Sequence, residues 1–229
     1  MGTVTILPET TNEPLVLMGQ MAGVCWGADT ESRLKNWQRG WECVKSGHGR
    51  VCEYPDVYML LNGYSARVMR EWYTHIGGMP TRLQASTRYI DYTELEYVIP
   101  PTIASNPDAL EDYNDVMRDI ARTVEKLESF GIPREDAAML LPLGMCTRVV
   151  CKHNLRNLID MSRQRMCSRA YWEYRELFND IREALSAYSD EWDILVNTQM
   201  YPKCKMLGYC PEKNGCGKYP KRGEERAAD

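Results

Sequence analysis

Histidine is scarce in this chain, three in 229 residues. That leaves little room for a histidine-rich metal cage or a histidine-based catalytic triad. G-x-G-x-x-G, the P-loop and H-E-x-x-H do not occur, which removes the common motif-borne routes to dinucleotide, nucleoside-triphosphate and zinc-protease chemistry. Long apolar runs are missing as well. Residues 15–18 and 139–143 are among the longest, far short of the roughly 20 that cross a bilayer. The first residues lack both a basic n-region and an apolar h-region, so no secretory signal is expected. Met1-Gly2 opens like a myristoylation site, but Ile6 stands where Ser or Thr is required. A cationic excess is also lacking. The net charge of −4 argues against a general nucleic-acid or membrane-surface binder, and leaves open the capture of one phosphorylated small molecule. These absences together read as a soluble cytoplasmic protein with no nucleic-acid and no membrane partner.

Paired cysteines are the last absence. There are nine cysteines, an odd number that fits no complete disulfide framework. Cys204, Cys210 and Cys216 are each separated by five residues, whereas metal sites usually present C-x2–4-C pairs. The expectation is reduced thiols and no metal, with Cys210 and Cys216 packing a C-terminal tail against the rest.

Apolar residues make up 44% and charged residues 26% of the chain, close to globular averages and enough for one well-packed domain. Residues 3–6 read as a short strand, 15–26 and 31–46 as helices, and 57–61 as the segment after a Gly-rich loop. A helix is expected over 63–75, ended by Gly77-Gly78-Met79-Pro80. Residues 83–100 read as extended, 140–151 as a short buried strand or turn, and 107–130, 134–139, 153–166 and 170–188 as helices. With strands in two groups and helices predominant, the fold class is α+β, a single domain over 1–201 followed by a polar, cysteine-containing tail over 202–229.

Three faces could carry chemistry. Arg67, Arg70, Glu71 and Thr74 fall at i, i+3, i+4 and i+7, one ridge of the expected helix; a solvated Arg–Glu face would look the same. Gln84, Ser86 and Arg88 alternate by two and would point to one side of a strand, where they could grip a phosphate, though an exposed edge strand has this pattern too. Asn154 and Arg165 lie eleven residues apart, about 16 Å along a helix, with Leu158 and Met161 between them on the same stripe. A polar group at each end of an apolar stripe suits a long ligand, and also suits the caps of a core helix. Cys146, Cys151 and His153 are close in sequence, but a cysteine nucleophile needs a base that only the fold can supply.

The order of short segments is more specific than any one of them. Ser46-Gly47-His48-Gly49-Arg50-Val51-Cys52-Glu53-Tyr54 comes first, then Asn62-Gly63-Tyr64-Ser65, Thr74-His75, and Arg82-Leu83-Gln84-Ala85-Ser86-Thr87-Arg88-Tyr89. Leu140-Leu141-Pro142, Asn154-Leu155-Arg156-Asn157-Leu158 and Arg165 complete the series. This resembles the flavin-dependent thymidylate synthases, whose pattern runs G-H-x-S-x-x-E-H, G-x-S-R, R-H-R-x-x-S-x-N-E-x-S-x-R-Y, A-R-x-V-L-P and N-x-R-S-L, with a further Arg nine residues beyond the Arg of the last motif. The resemblance implies a homotetramer built on a central, mostly antiparallel sheet flanked by long helices, with active sites shared between subunits. It implies conversion of dUMP to dTMP with FAD as cofactor, NADPH as reductant and methylenetetrahydrofolate as carbon donor, without a cysteine nucleophile. Carried over position by position, Arg165 would be the catalytic group, stabilising an N3-ionised uracil. Glu71, Gln84, Ala85, Ser86, Thr87 and Arg88 would join Arg165 in holding dUMP. His48, Arg50, His75, Arg82, Gln84, Asn154, Arg156 and Asp160 would contact FAD.

The departures from that pattern are specific. The family's R-H-R reads Thr74-His75-Ile76 here, with a loop about two residues longer after it, and Ala66 and Ala138 stand where arginines belong. Arg82 is the first candidate to replace a missing arginine, with Arg67 and Arg70 as others. A relative that modifies a pyrimidine nucleotide differently, a hydroxymethylase for instance, and a non-catalytic oligomeric binding protein are the alternatives these losses admit.

Overall fold

The computed structural model describes residues 2–224. In chain order the elements are β1 (Thr3–Ile6), α1 (Pro14–Cys25), α2 (Arg33–Lys45), β2 (Asp56–Ser65), α3 (Ala66–Trp72), β3 (Thr81–Gln84), α4 (Pro101–Ala104) and α5 (Pro107–Ser129). They continue with α6 (Arg134–Ala137), β4 (Cys146–Asn154), α7 (Leu155–Arg165), α8 (Trp172–Tyr188), α9 (Asp190–Gln199) and α10 (Lys203–Leu207). The strands form a four-stranded antiparallel sheet in the order β1-β2-β4-β3, so the α+β reading holds. No described helix is long and apolar enough to cross a membrane.

Five of the ten α-helices described begin where a side chain satisfies a free backbone N–H. Ser32, Ser65, Asn106, Asn154 and Ser189 each accept a bond from the residue three ahead and start α2, α3, α5, α7 and α9. In β2, Val57, Met59 and Leu61 are fully buried and alternate with partly exposed neighbours, and Thr147, Val149, Cys151 and His153 do the same in β4. Period-two burial of this kind belongs to a sheet with one covered face.

The chain divides into two compact units. One comprises mainly Leu60–Thr74 and Arg82–Val150; the other comprises Val4–Met59, His75–Thr81 and the chain from Cys151 onward. In the first, Leu61, Val68, Met69, Trp72, Met145 and Val149 are buried, and Met117 and Val124 bury one stripe of α5. In the second, the core is Leu15, Met18, Leu158, Met161, Phe178 and Trp192 with their neighbours. There α1 and α2 pack backbone against backbone. A Cβ on Gly19 would fall 1.8 Å from Asn36 O, and one on Gly40 would fall 2.0 Å from Leu15 O. Only glycine allows that approach.

Several expected boundaries move. β2 continues through Gly63 to Ser65, so α3 starts three residues later than read and ends at Trp72. The amides of Ala66 and Arg67, which open α3 and have no acceptor within it, bond to Met145 O and Leu143 O and so anchor the start of the helix. Of residues 83–100 only Leu83 and Gln84 lie in a strand. The carbonyl of Ser86 accepts from Tyr89 N and Ile90 N, and Asp91 Oδ1 accepts from Thr93 N, so local turns compete successfully with the β-propensity of Tyr89, Ile90 and Tyr92. His153 and Asn154 end β4 instead of opening a helix, and α9 and α10 lie where no helix was read.

Candidate active site

In the second unit, α7 carries most of the expected residues. Asn154 ends β4 and caps α7, its Oδ1 accepting from Asn157 N at 2.9 Å. Its Nδ2 also reaches Gly78 O at 3.5 Å. Gly78 has φ +73, and a Cβ there would lie 2.6 Å from Asn154 Nδ2, so the glycine loop rests directly on the cap. Beneath that cap, His153 Nδ1 pairs with Asn157 Oδ1 in the buried interior. Leu158 and Met161 are buried along the stripe from Asn154 to Arg165, as the eleven-residue spacing requires. Asp160 lies on the exposed side of the helix, 3.9 Å from Arg163.

Arg165 is the last residue of α7, and its guanidinium is fixed from two directions. Nε donates to His75 Nε2 at 2.9 Å. The guanidinium carbon sits 4.5 Å from the ring centre of Tyr174, which is fully buried in α8. The His75 ring meets the same tyrosine edge-on, 6.1 Å between centroids at 71°. Arginine only donates, so His75 Nε2 must be the accepting nitrogen and its proton sits on Nδ1. A planar, permanently charged group is thus pre-oriented between an acceptor and an aromatic face. Sequence reading found Arg165 and His75 but not Tyr174. Tyr174 lies on another helix, nine residues beyond Arg165, and no spacing rule links the two.

Elsewhere in this unit, His48 leads into a 3-10 turn over Gly49–Glu53 that packs on α7. Arg50 and His48 are exposed there, and Arg156 pairs with Glu53. A Cβ on Gly49 would lie 3.8 Å from the Arg156 guanidinium carbon. Cys52 on the same turn is buried, which pushes its thiol up to about 11 and leaves it a poor nucleophile.

In the first unit, the expected phosphate strand is a strand followed by a turn. Gln84 ends β3, with Nε2 3.3 Å from Thr147 Oγ1. The amide of Ala85 bonds to Arg148 O at 2.8 Å. Ser86, Thr87 and Arg88 lie past the strand, so they do not share a strand face with Gln84; Ser86 Oγ instead accepts from Arg88 N at 3.2 Å. Arg88 Nε donates to Glu135 Oε2 at 2.7 Å, an exposed pair that sequence spacing gave no sign of. Arg82 lies over the Tyr73 ring at 5.1 Å. Glu71 sits in the last turn of α3. Its carbonyl accepts from Thr74 Oγ1, and Thr74 lies beyond the helix, so the ridge read over 67–74 is one residue short.

All nine cysteines are free thiols. Among the described residues no group of three or more potential ligands is arranged to hold a metal.

Residues 6–188 match the family model described as thymidylate synthase complementing protein. The chain is 30% identical to a flavin-dependent thymidylate synthase of Nitratidesulfovibrio vulgaris over 196 residues, 78% of this chain and 75% of that protein. It is 28% identical to the enzyme of that name from Pyrococcus furiosus, over 80% of this chain and 78% of the relative. The Thermococcus onnurineus enzyme of the same name is 29% identical over 72% of this chain and 69% of its own length. With a family match over residues 6–188 and a relative 30% identical across 78% of its length, the chain belongs to the thymidylate synthase complementing protein family, that of the flavin-dependent thymidylate synthases.

Proposed function

We propose that this protein converts dUMP to dTMP with FAD as cofactor, NADPH as reductant and methylenetetrahydrofolate as one-carbon donor. The observation that carries the reading is Arg165, held by His75 and by the face of Tyr174 at the end of α7. Uracil C5 becomes nucleophilic when negative charge develops on the ring. A fixed guanidinium facing N3 and its neighbouring carbonyl stabilises that charge without reorganising during reaction. Lysine would supply charge without the planar fork, and histidine would lose its charge near neutral pH.

The residues around the 3-10 turn fit a phosphate-bearing flavin. Glycine at 49 leaves the backbone open beside Arg156, and exposed His48 and Arg50 supply donors to an anion. His48, Arg50, Arg156, Asn154 and Asp160 would hold it there, with His75, Arg82 and Gln84 as further contacts. When bound, FAD supplies the hydride chemistry that links the reductant to the transferred carbon. Gln84, Ala85, Ser86, Thr87 and Arg88 would receive the dUMP phosphate, with Glu71 as a further contact to the nucleotide away from its phosphate. The Ala85 amide is already committed to Arg148 O, so the Gln84 amide and the hydroxyls are the better donors.

A homotetramer with shared sites is part of the same reading. Large apolar side chains are exposed beside the expected site residues: Ile76, Met79, Leu83 and Tyr89 are each at least 71% exposed. Large apolar side chains left this exposed are the kind a partner subunit would cover.

The test is product analysis with dUMP, methylenetetrahydrofolate, NADPH and FAD. Thymidylate formed by a yellow, flavin-absorbing protein is expected. A hydroxymethyl nucleotide would favour the sister activity, which the alanines at 66 and 138 admit. No flavin absorbance and no product would leave the binding-protein reading.

A further inference from the structure

The C-terminal segment that follows the family match builds a cavity with the end of α7. Its volume is about 570 Å³, and its walls come from residues 163–170 and from residues 202–219. The second wall lies wholly outside residues 6–188. Five cations line the cavity: Arg163, Arg165, Arg169, Lys203 and Lys218. Glu212 is the one carboxylate among the lining residues, and Arg169 already pairs with it at 2.7 Å. Lys203 and Lys218 enter no ion pair among the described residues, and Arg163 Nε is buried with no hydrogen-bond partner there. Gathering like charges around a cavity is unfavourable unless an anion or solvent compensates, and a concave wall concentrates their field. In a chain of net charge −4, this local excess is not a consequence of composition.

We propose that this cavity is an anion subsite, taking the phosphate or carboxylate end of a substrate whose reacting part lies near Arg165. The assignment rests on the synthase reading for the identity of that substrate, though not for anion binding itself. Phosphate monoesters and paired carboxylates share the required chemistry, a compact multiple negative charge that forked arginines and mobile lysines can meet together. With the dUMP phosphate assigned to residues 84–88, two sources offer it: the phosphorylated nicotinamide reductant and the glutamyl tail of the folate. Arginines are absent at positions 66, 74, 76 and 138, and the four cations that join Arg165 here supply positive charge at positions the family pattern does not specify.

Inorganic pyrophosphate is the probe, with binding followed by calorimetry and phosphorus NMR on the full chain. Affinity should fall about tenfold in the double variant Lys203→Gln/Lys218→Gln, since each lysine is a screened, partly solvated contact. Glu212→Gln should tighten binding, because it removes the opposing carboxylate; a purely structural role for this residue would not do so. Equal affinity in the wild type and the double variant, or weaker binding in Glu212→Gln, overturns the proposal. These measurements need no turnover, so an inactive wild type would defeat the synthase reading and leave them standing. In the active enzyme, KM in the double variant identifies the source. It should rise for NADPH but not NADH, or for polyglutamyl but not monoglutamyl folate, with kcat and the KM for dUMP little changed. A KM unaltered for both, or raised equally with and without the charged end, overturns the proposal.

Discussion

Arg165→Ala tests the centre of the proposed mechanism most directly. A guanidinium at a contact distance of about 4 Å from an ionised uracil contributes about 4 kcal/mol when the effective dielectric is near 20. That corresponds to a rate factor of about a thousand. Arg165 is partly exposed, so solvent screening moves the effect toward the lower part of this range. Nε donates to His75, and the plane lies 4.5 Å from the Tyr174 ring centre, so the charge is held in place before substrate arrives. Arg165→Lys separates charge from geometry. It keeps the charge but loses the directed bond to His75, a charge-assisted interaction of about 1.5–3 kcal/mol. Its activity should therefore fall between wild type and Arg165→Ala. The assay is single-turnover formation of thymidylate, with flavin absorbance recorded on the same samples. Flavin content should be largely retained, because, of the residues assigned to it, only His75 contacts Arg165, while Asn154 and those around the 3-10 turn keep their partners. Turnover of Arg165→Ala within about tenfold of wild type, a barrier change of only about 1.4 kcal/mol, would refute the assigned role.

Tyr174→Leu should lower kcat about tenfold through loss of the aromatic support under Arg165, and Tyr174→Phe should restore most of it. Equal activity of the two variants would show that the ring does not position the arginine. Arg82→Ala should weaken dUMP or flavin binding if Arg82 replaces a missing arginine, and unchanged Kd values for both would remove it from the site. Asn154→Ala removes the α7 cap and its contact to Gly78, so Tm should fall by about 2–4 °C for a loss of about 1 kcal/mol. A Tm unchanged on calorimetry would contradict this. Glu191 is buried against the start of α1, its Oε2 accepting from Leu15 N at 2.7 Å, and burial raises its carboxyl above the usual 4.5 despite that bond. A raised folded-state value means that its stabilising contribution is present in acid and lost as pH rises through the carboxylate range. Glu191→Gln should thus be at its most favourable relative to wild type near pH 7, with the advantage shrinking toward pH 4. An advantage that grows in acid would reverse the sign of this argument.

Local chemistry determined much of the molecule. Ser65, Asn106 and Asn154 followed by helix-forming segments set the starts of α3, α5 and α7, because capping depends only on residues a few positions away. The stripe from Asn154 to Arg165 follows from helix periodicity alone, and so does the buried stripe of α5. The order of short segments pointed to the family, since each motif is contiguous in the chain. Long-range pairing decided the rest. Residues 83–100 have strand-forming side chains, yet turns built on Ser86 and Asp91 prevail beyond Gln84, because β-propensity expresses itself only where a partner strand is available. β4 runs through His153 and Asn154 for the converse reason: it has β2 and β3 on either side. Only tertiary structure could bring His75 and Tyr174 to Arg165, since the three sit on separate segments and meet through packing. The cations from α7 and from the C-terminal segment share a cavity on the same physical ground, the chain's return after α9, which no local pattern records.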